Sequence, residues 1–212
     1  MKIALIGASG FIGSGLLAEA LARGHQVTAL VGRPERLAPA AGLTAQATDV
    51  LDPARLSTQL AGHDAVISAF SGHAQEGVRD YYNRGVDAIL AATRQAGVPR
   101  LLMVGGAGSL EVAPGVQVVD SPDFPAQWKE SALGARDTLD KLRQESVLDW
   151  TLLSPAAVIA PGPRTGQFRL GGDQLLTDEN GDSKISVADY AVAMIDELEH
   201  PAHSRRRFTV AY

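Results

Sequence analysis

Short, nearly continuous apolar runs punctuate the chain at residues 3–6, 26–31, 65–70, 100–104 and 150–158. Between them lie stretches with helical character at 16–23, 78–96, 127–146 and 187–198. Leu133, Leu139 and Leu142 form an apolar stripe on the third of these, and Ala191, Met194, Ile195 and Leu198 take core-facing spacing on the fourth. A short strand at 45–48, a helix opening at Asp52 and Pro53, and a last strand at 208–212 complete the series. Asp52 suits the N-cap, and Pro53 the first helical position, where a missing N–H costs nothing. Runs without internal polar alternation are the kind buried on both faces of a parallel sheet. Strands alternating with helices over short connections predict a doubly wound, mostly parallel α/β sheet. Residues 111–125 and 161–185 fall outside this rhythm. They read as cleft-side segments, the first an ordered loop or flap and the second a small substrate-side lobe carrying Arg164, Gln167 and Arg169.

Composition narrows the possibilities. A chain of 212 residues fits a single domain spanning 1–212, able to bury about 70% of its unfolded surface without staples. It has no cysteine, which removes thiolate chemistry, disulfides and thiolate metal sites. With a net charge of −5 and only 5% aromatic residues, neither nucleic acid nor an anionic membrane is an expected partner. Residues 205–207, three arginines, read as a solvated start to the last strand. The first strand begins at Lys2, leaving no room ahead of it for an export signal, so the expected setting is the cytoplasm, as a monomer or homodimer.

The opening stretch MKIALIGASGFIGSG carries the chemistry. An apolar strand stops at Gly7, and Gly10 and Gly13 follow before a helix, so the backbone can turn tightly and present N–H groups at a helix start to a pyrophosphate. The spacing is G-x-x-G-x-x-G instead of the more common G-x-G-x-x-G. The residue about 20 positions beyond the last glycine of such a turn faces the adenosine ribose. Counting from Gly13 reaches Arg33, with no acid there and Arg36 nearby, which favours NADP(H) over NAD(H). Asp49, at a strand end, can accept from an adenine amino group or simply order its turn. The end of the fourth run, Ser68-Ala69-Phe70-Ser71-Gly72, is expected beside the glycine turn.

With these pieces in place the chain resembles the atypical short-chain dehydrogenase/reductases. Within them it is most similar to the NADH-flavin reductase group related to biliverdin reductase B and the NmrA-like proteins. The segments that carry the resemblance are GASGFIG at 7–13, VGRPERL at 31–37, DVLDP at 49–53, DWTLLSPA at 149–156, GDQLLTDENGDSKISVADYAVA at 172–193 and RFTVAY at 207–212. The resemblance implies a Rossmann sheet of order 3-2-1-4-5-6 with an added strand. It also implies NADP(H) bound by Gly7, Ser9, Gly10, Phe11, Ile12, Gly13, Arg33, Asp49, Val50, Ser68, Ala69, Phe70 and Gly72, with hydride passing to FMN, FAD or another conjugated small-molecule acceptor. One departure matters. Short-chain dehydrogenases use a Tyr-x-x-x-Lys pair as their acid or base, and no such pair exists here: Tyr81, Tyr82 and Tyr190 are followed four places on by Gly85, Val86 and Met194. Ordinary ketone chemistry and sugar epimerisation therefore fit poorly. A flavin needs chiefly two stacked rings, and a redox-sensing binding protein of the NmrA-like kind needs no chemistry at all.

The remaining candidates are few. By the resemblance, Ser109 takes the polar position near the nicotinamide as a candidate catalytic residue, with a turn serine as the alternative. His73 follows Ser71-Gly72 closely enough to donate a proton, and Asn83 is a poor helix former that reads as a structural hydrogen-bonding residue near the cleft. Trp128 and Phe168 are candidates to line the acceptor side. No histidine pair has metal-ligand spacing.

Overall fold

The computed structural model describes residues 1–72 and 76–212. The first half of the chain forms β1 (Lys2–Ile6), α1 (Phe11–Ala22), β2 (Gln26–Val31), β3 (Leu43–Ala47), α2 (Pro53–Leu60), β4 (Ala65–Ser68), α3 (Val78–Gln95) and β5 (Arg100–Val104). The second half forms β6 (Glu111–Ala113), β7 (Val116–Gln117), α4 (Ala126–Arg143), β8 (Asp149–Ser154), β9 (Val158–Ala160), β10 (Arg169–Gly171), β11 (Lys184–Ser186), α5 (Val187–Glu199) and β12 (Arg206–Ala211).

Eight strands make one sheet in the order β3-β2-β1-β4-β5-β8-β12-β10. All neighbours run parallel except β10, which lies antiparallel on β12. This is the expected 3-2-1-4-5-6 order, with β8 as sixth strand and β12 as the addition. Successive side chains leave β1 on opposite faces. Ile3 and Leu5 join the core under α1 and α5, while Ala4 and Ile6 join the core under α2, α3 and α4. β4 is buried along its whole length, as an interior strand covered by helices on both faces must be. The chain turns to opposite sides of β1 on its way to β2 and to β4, so the crevice of the fold opens beyond the carboxyl ends of β1 and β4.

Several local expectations are corrected. α1 starts at Phe11, five residues before the expected 16, because packing selects glycines inside the helix against their poor propensity. A Cβ on Gly15 would lie 2.6 Å from Val187 Cγ1, so this glycine lets α1 and α5 approach. Gly105 to Ser109, which reads as flexible, is a packed turn: a Cβ on Gly106 would meet the Cβ of Ala135 at 2.9 Å, and one on Gly108 the Cβ of Ala132 at 2.8 Å. The run at 150–158 breaks after Ser154, and β9 pairs with β11 in a separate two-stranded sheet. Segment 111–125 contains the β6–β7 hairpin and is tied down by Glu111 N–H to the Asp173 carbonyl (2.8 Å) and by Arg136 to Asp120 (3.2 Å). On α4, Leu139 and Leu142 are buried, but Leu133 lies off their stripe.

The arginine cluster is not uniformly solvated. Arg205 and Arg206 are exposed, whereas the Arg207 side chain is 3% exposed and ion-paired with Asp173. β12 begins two residues earlier than expected, which carries Arg207 inside the sheet, paired with Leu152 of β8.

Candidate functional site

The glycine turn is shaped by contacts that exclude side chains. Gly7 has a φ of +78°, and a Cβ there would lie 2.6 Å from the Ala69 carbonyl oxygen. A Cβ on Gly13 would lie 2.0 Å from the Gly7 carbonyl oxygen, so only glycine lets α1 start this close to the end of β1. The turn is pinned by Gly7 N–H to the Leu30 carbonyl (2.9 Å) and Gly10 N–H to the Gly7 carbonyl (3.0 Å). Gly10 is the N-cap of α1 and supplies no side-chain cap, and the first intrahelical bond is from Ser14 N–H to the Gly10 carbonyl (2.9 Å). The N–H groups of Phe11, Ile12 and Gly13 thus lie in the first turn, where the helix itself offers no acceptor and its dipole favours an anion. Ser9, Gly10 and Phe11 are exposed at this end. The cradle fits a pyrophosphate in both shape and charge.

The neighbouring strand ends frame the cradle. Arg33 follows β2 by two residues, exposed, at the start of the short 3-10 turn Pro34–Arg36. It lies three positions beyond Leu30, whose carbonyl holds Gly7, which places its side chain on the adenosine side of the turn. Asp49 orders its own turn, accepting from Leu51 N–H at 2.9 Å, and Val50 packs partly into the core under α2. On the other side Ala69 N–H donates to the Ile6 carbonyl (2.9 Å), bringing Ser68 and Ala69 against the glycine turn as expected. Phe70 stacks on Tyr82, with ring centroids 5.9 Å apart and an interplanar angle of 5°, over a glycine at position 85 whose Cβ would meet the Phe70 ring at 2.1 Å. Gly72 is buried against Val78 and Tyr81. Ile12, Ala69 and Val104 are half-buried at the carboxyl edge and pack on the core beneath, giving the crevice an apolar floor. His73 lies outside the described residues.

Ser109 is 2% exposed, and its hydroxyl faces the guanidinium of Arg207 at 3.4 Å. Arg207 also reaches the Ser154 hydroxyl (3.5 Å) and binds Asp173, so one buried cation ties the segment after β5 to β8 and to the lobe before β11. The sequence offers a signal for this only in hindsight: an arginine two residues inside a strand that is otherwise buried. Asn83 donates to Asp137 at 2.9 Å beside the Arg79–Asp137 ion pair (2.7 Å), a structural bond between α3 and α4.

The lobe arginines hold the lobe in place. Arg164 binds Glu19 of α1 through two bonds of 2.8 Å, and its hydrogen bond is the main reason the Glu19 carboxyl is held below its ordinary value. Arg169 donates to the Thr177 and Tyr212 carbonyls. Asp189, which sequence reasoning treats only as a capping-box variant, is fully buried and takes Thr165 N–H (2.8 Å), Gly166 N–H (2.8 Å), the Thr165 hydroxyl (2.6 Å) and the Tyr212 hydroxyl (2.8 Å). Only half of the capping box forms. The Ser186 hydroxyl accepts from Asp189 N–H (2.9 Å), but Ser186 N–H donates to the Tyr212 hydroxyl (3.2 Å) instead of to Asp189.

Tyrosine hydroxyls are committed elsewhere. Tyr190 donates to the Leu153 carbonyl (2.7 Å), and burial pushes its phenol well up from the ordinary value. Burial also raises Tyr82, whose hydroxyl is bonded to Thr138, and Tyr212 is engaged by Asp189. Among the described residues no group of three or more His, Asp or Glu side chains is arranged to hold a metal ion, and no helix is long and apolar enough to cross a membrane.

Known proteins share this arrangement. Residues 7–201 match the model of a family described as NAD(P)H-binding. Protein YwnB of Bacillus subtilis (strain 168) is 40% identical over 218 residues, covering 99% of this chain and 98% of that protein. Among solved structures, a candidate epimerase from Bacteroides thetaiotaomicron is 46% identical with a TM-score of 0.94, covering all of this chain and 96% of that one. A candidate NADH-flavin reductase from Streptococcus pneumoniae TIGR4 is 35% identical with a TM-score of 0.88, covering all of this chain and 99% of that one. The cradle over residues 7–13 and a family match that begins at its first glycine agree, and the chain belongs to the NAD(P)H-binding family of Rossmann proteins.

Proposed function

We propose that the protein is an NADP(H)-dependent reductase that passes a hydride to a flavin or a similar conjugated, quinone-like acceptor. The observation that carries this reading is a dinucleotide cradle bordered by an apolar floor, with no tyrosine–lysine pair to serve it. The N–H groups opening α1 hold the pyrophosphate, Arg33 pairs with the 2′-phosphate, and Asp49 and Val50 flank the adenine. Ser68, Ala69, Phe70 and Gly72 border the nicotinamide side. A bound reduced nicotinamide supplies the hydride, and the protein's part is to align the second ring and keep water out. Neither a tyrosine nor Ser109, buried against Arg207, is required to give a proton. The likeness to a candidate flavin reductase supports this reading. The likeness to a candidate epimerase does not extend to the chemistry, since sugar epimerisation of the usual kind draws on the missing pair.

Steady-state oxidation of NADPH and NADH with FMN, FAD and a quinone dye tests the proposal. Saturable oxidation above the protein-free rate is expected, whereas tight binding without oxidation for every acceptor points to a sensor. Arg33→Ala is expected to weaken NADPH about tenfold and leave NADH unchanged, since loss of a charge-assisted bond costs about 1.5 kcal/mol. An unaltered preference in this variant would remove Arg33 from the cofactor site.

A further inference from the structure

The two tryptophans of the chain have opposite fates. Trp150 is 3% exposed in the core, whereas Trp128 is 52% exposed on the first turn of α4. Its place on the helix explains why. Residues 128, 132, 135, 139 and 142 recur at intervals of four and three and therefore share one face. Leu139 and Leu142 at the far end of that face are buried in the core, and Ala132 and Ala135 lie over Gly108 and Gly106 just beyond the end of β5. α4 begins at the carboxyl edge of the sheet, because it returns the chain from the end of β5 to the start of β8. Seven residues before Ala135 at ~1.5 Å per residue puts Trp128 about 10 Å further out along the axis. The core-facing stripe of α4 thus overhangs the crevice, and its last member is an indole with half its surface open above the apolar floor of Ile12, Ala69 and Val104.

We infer that Trp128 is the acceptor-side ring platform, stacking on the conjugated acceptor and setting the preference for flat, extended rings. The inference rests on the reductase reading for the identity of its ligand. Glycines at 105 and 106 support it, since they leave the crevice free of side chains between the floor and the overhang. An indole also stacks on flat rings without needing a matched hydrogen-bond pattern.

FMN is the probe. Its own fluorescence is titrated with the full chain in the presence of NADP⁺, and KM and kcat for FMN are measured with NADPH, for the wild type, Trp128→Ala and Trp128→Phe. Wild-type protein is expected to quench the flavin, Trp128→Ala to lose the quenching and raise the FMN KM about three- to tenfold, and Trp128→Phe to recover most of both. NADPH affinity should be equal in all three, which a general loss of structure would not allow. Unchanged quenching and KM in Trp128→Ala would overturn the platform while leaving the reductase reading intact. Quenching that depends on Trp128 without any turnover would uphold the platform and overturn the reductase reading. Wild-type protein that neither quenches nor reduces FMN would overturn both.

Discussion

Gly13→Ala is expected to abolish NAD(P)H binding at micromolar cofactor and to lower the stability of the fold by about 3 kcal/mol, at the upper end of the cost of overpacking. The added methyl carbon would sit 2.0 Å from the Gly7 carbonyl oxygen, a backbone atom that cannot swing away. Relief requires α1 to move off the end of β1. That shift carries the N–H groups of Phe11, Ile12 and Gly13 away from the phosphate position, so binding and stability fail together. In a helix interior free of such contacts, Gly→Ala stabilises by up to about 1 kcal/mol through propensity, so the sign of the change discriminates. Urea unfolding and a fluorescence titration with NADPH read the two effects. A stabilised variant that still binds the cofactor would contradict the close approach of helix and turn.

Asp189→Asn is expected to cost about 2–3 kcal/mol, the scale of hydrogen bonds made to a buried charged group. The substitution keeps the shape of the side chain but turns one acceptor into an NH₂ facing donors from Thr165, Gly166 or Tyr212. The pH dependence follows from the carboxyl itself. Burial pushes it up, but the bonds from Thr165, Gly166 and Tyr212 outweigh burial and leave it below its ordinary value. A depressed folded value means that the carboxylate stabilises the fold fully above the unfolded value near pH ~4 and loses that effect as pH falls towards the folded value. Thermal melts of the wild type and Asp189→Asn should therefore differ by about 5–10 °C near neutral pH and converge below about pH 4. A gap that persists undiminished in acid would show that the carboxylate charge is not what ties the lobe to α5.

The strands were legible because burial on both faces leaves a continuous apolar signature: β2 and β5 begin and end where their apolar runs do. The same signature led the sixth run too far, since Pro155 and Ala156 are apolar yet leave the sheet. Local propensity misplaced the start of α1, where Gly13 and Gly15 serve close packing instead of helix formation. The cradle was readable because glycine spacing reports backbone approach directly. Asp189, Arg207 and the overhang of Trp128 were not, because each depends on partners 24, 34 or more residues away, or on where a helix lies relative to the sheet edge. Charged residues in a strand or helix read as solvent-facing until the fold supplies Thr165, Asp173 or Glu19 opposite them.

The central claim is hydride transfer by alignment of two rings, with no protein acid. Its most direct measure is an anaerobic single-turnover reaction of the full chain with NADPH, or NADPH deuterated at the transferring position, and FMN. Saturable bleaching of the flavin, slowed by the deuterium and flat between about pH 6 and 8, is the expected result, since a required side-chain acid would impose its own titration. Tight NADPH binding with no bleaching of FMN, or of FAD or a quinone in its place, would contradict it.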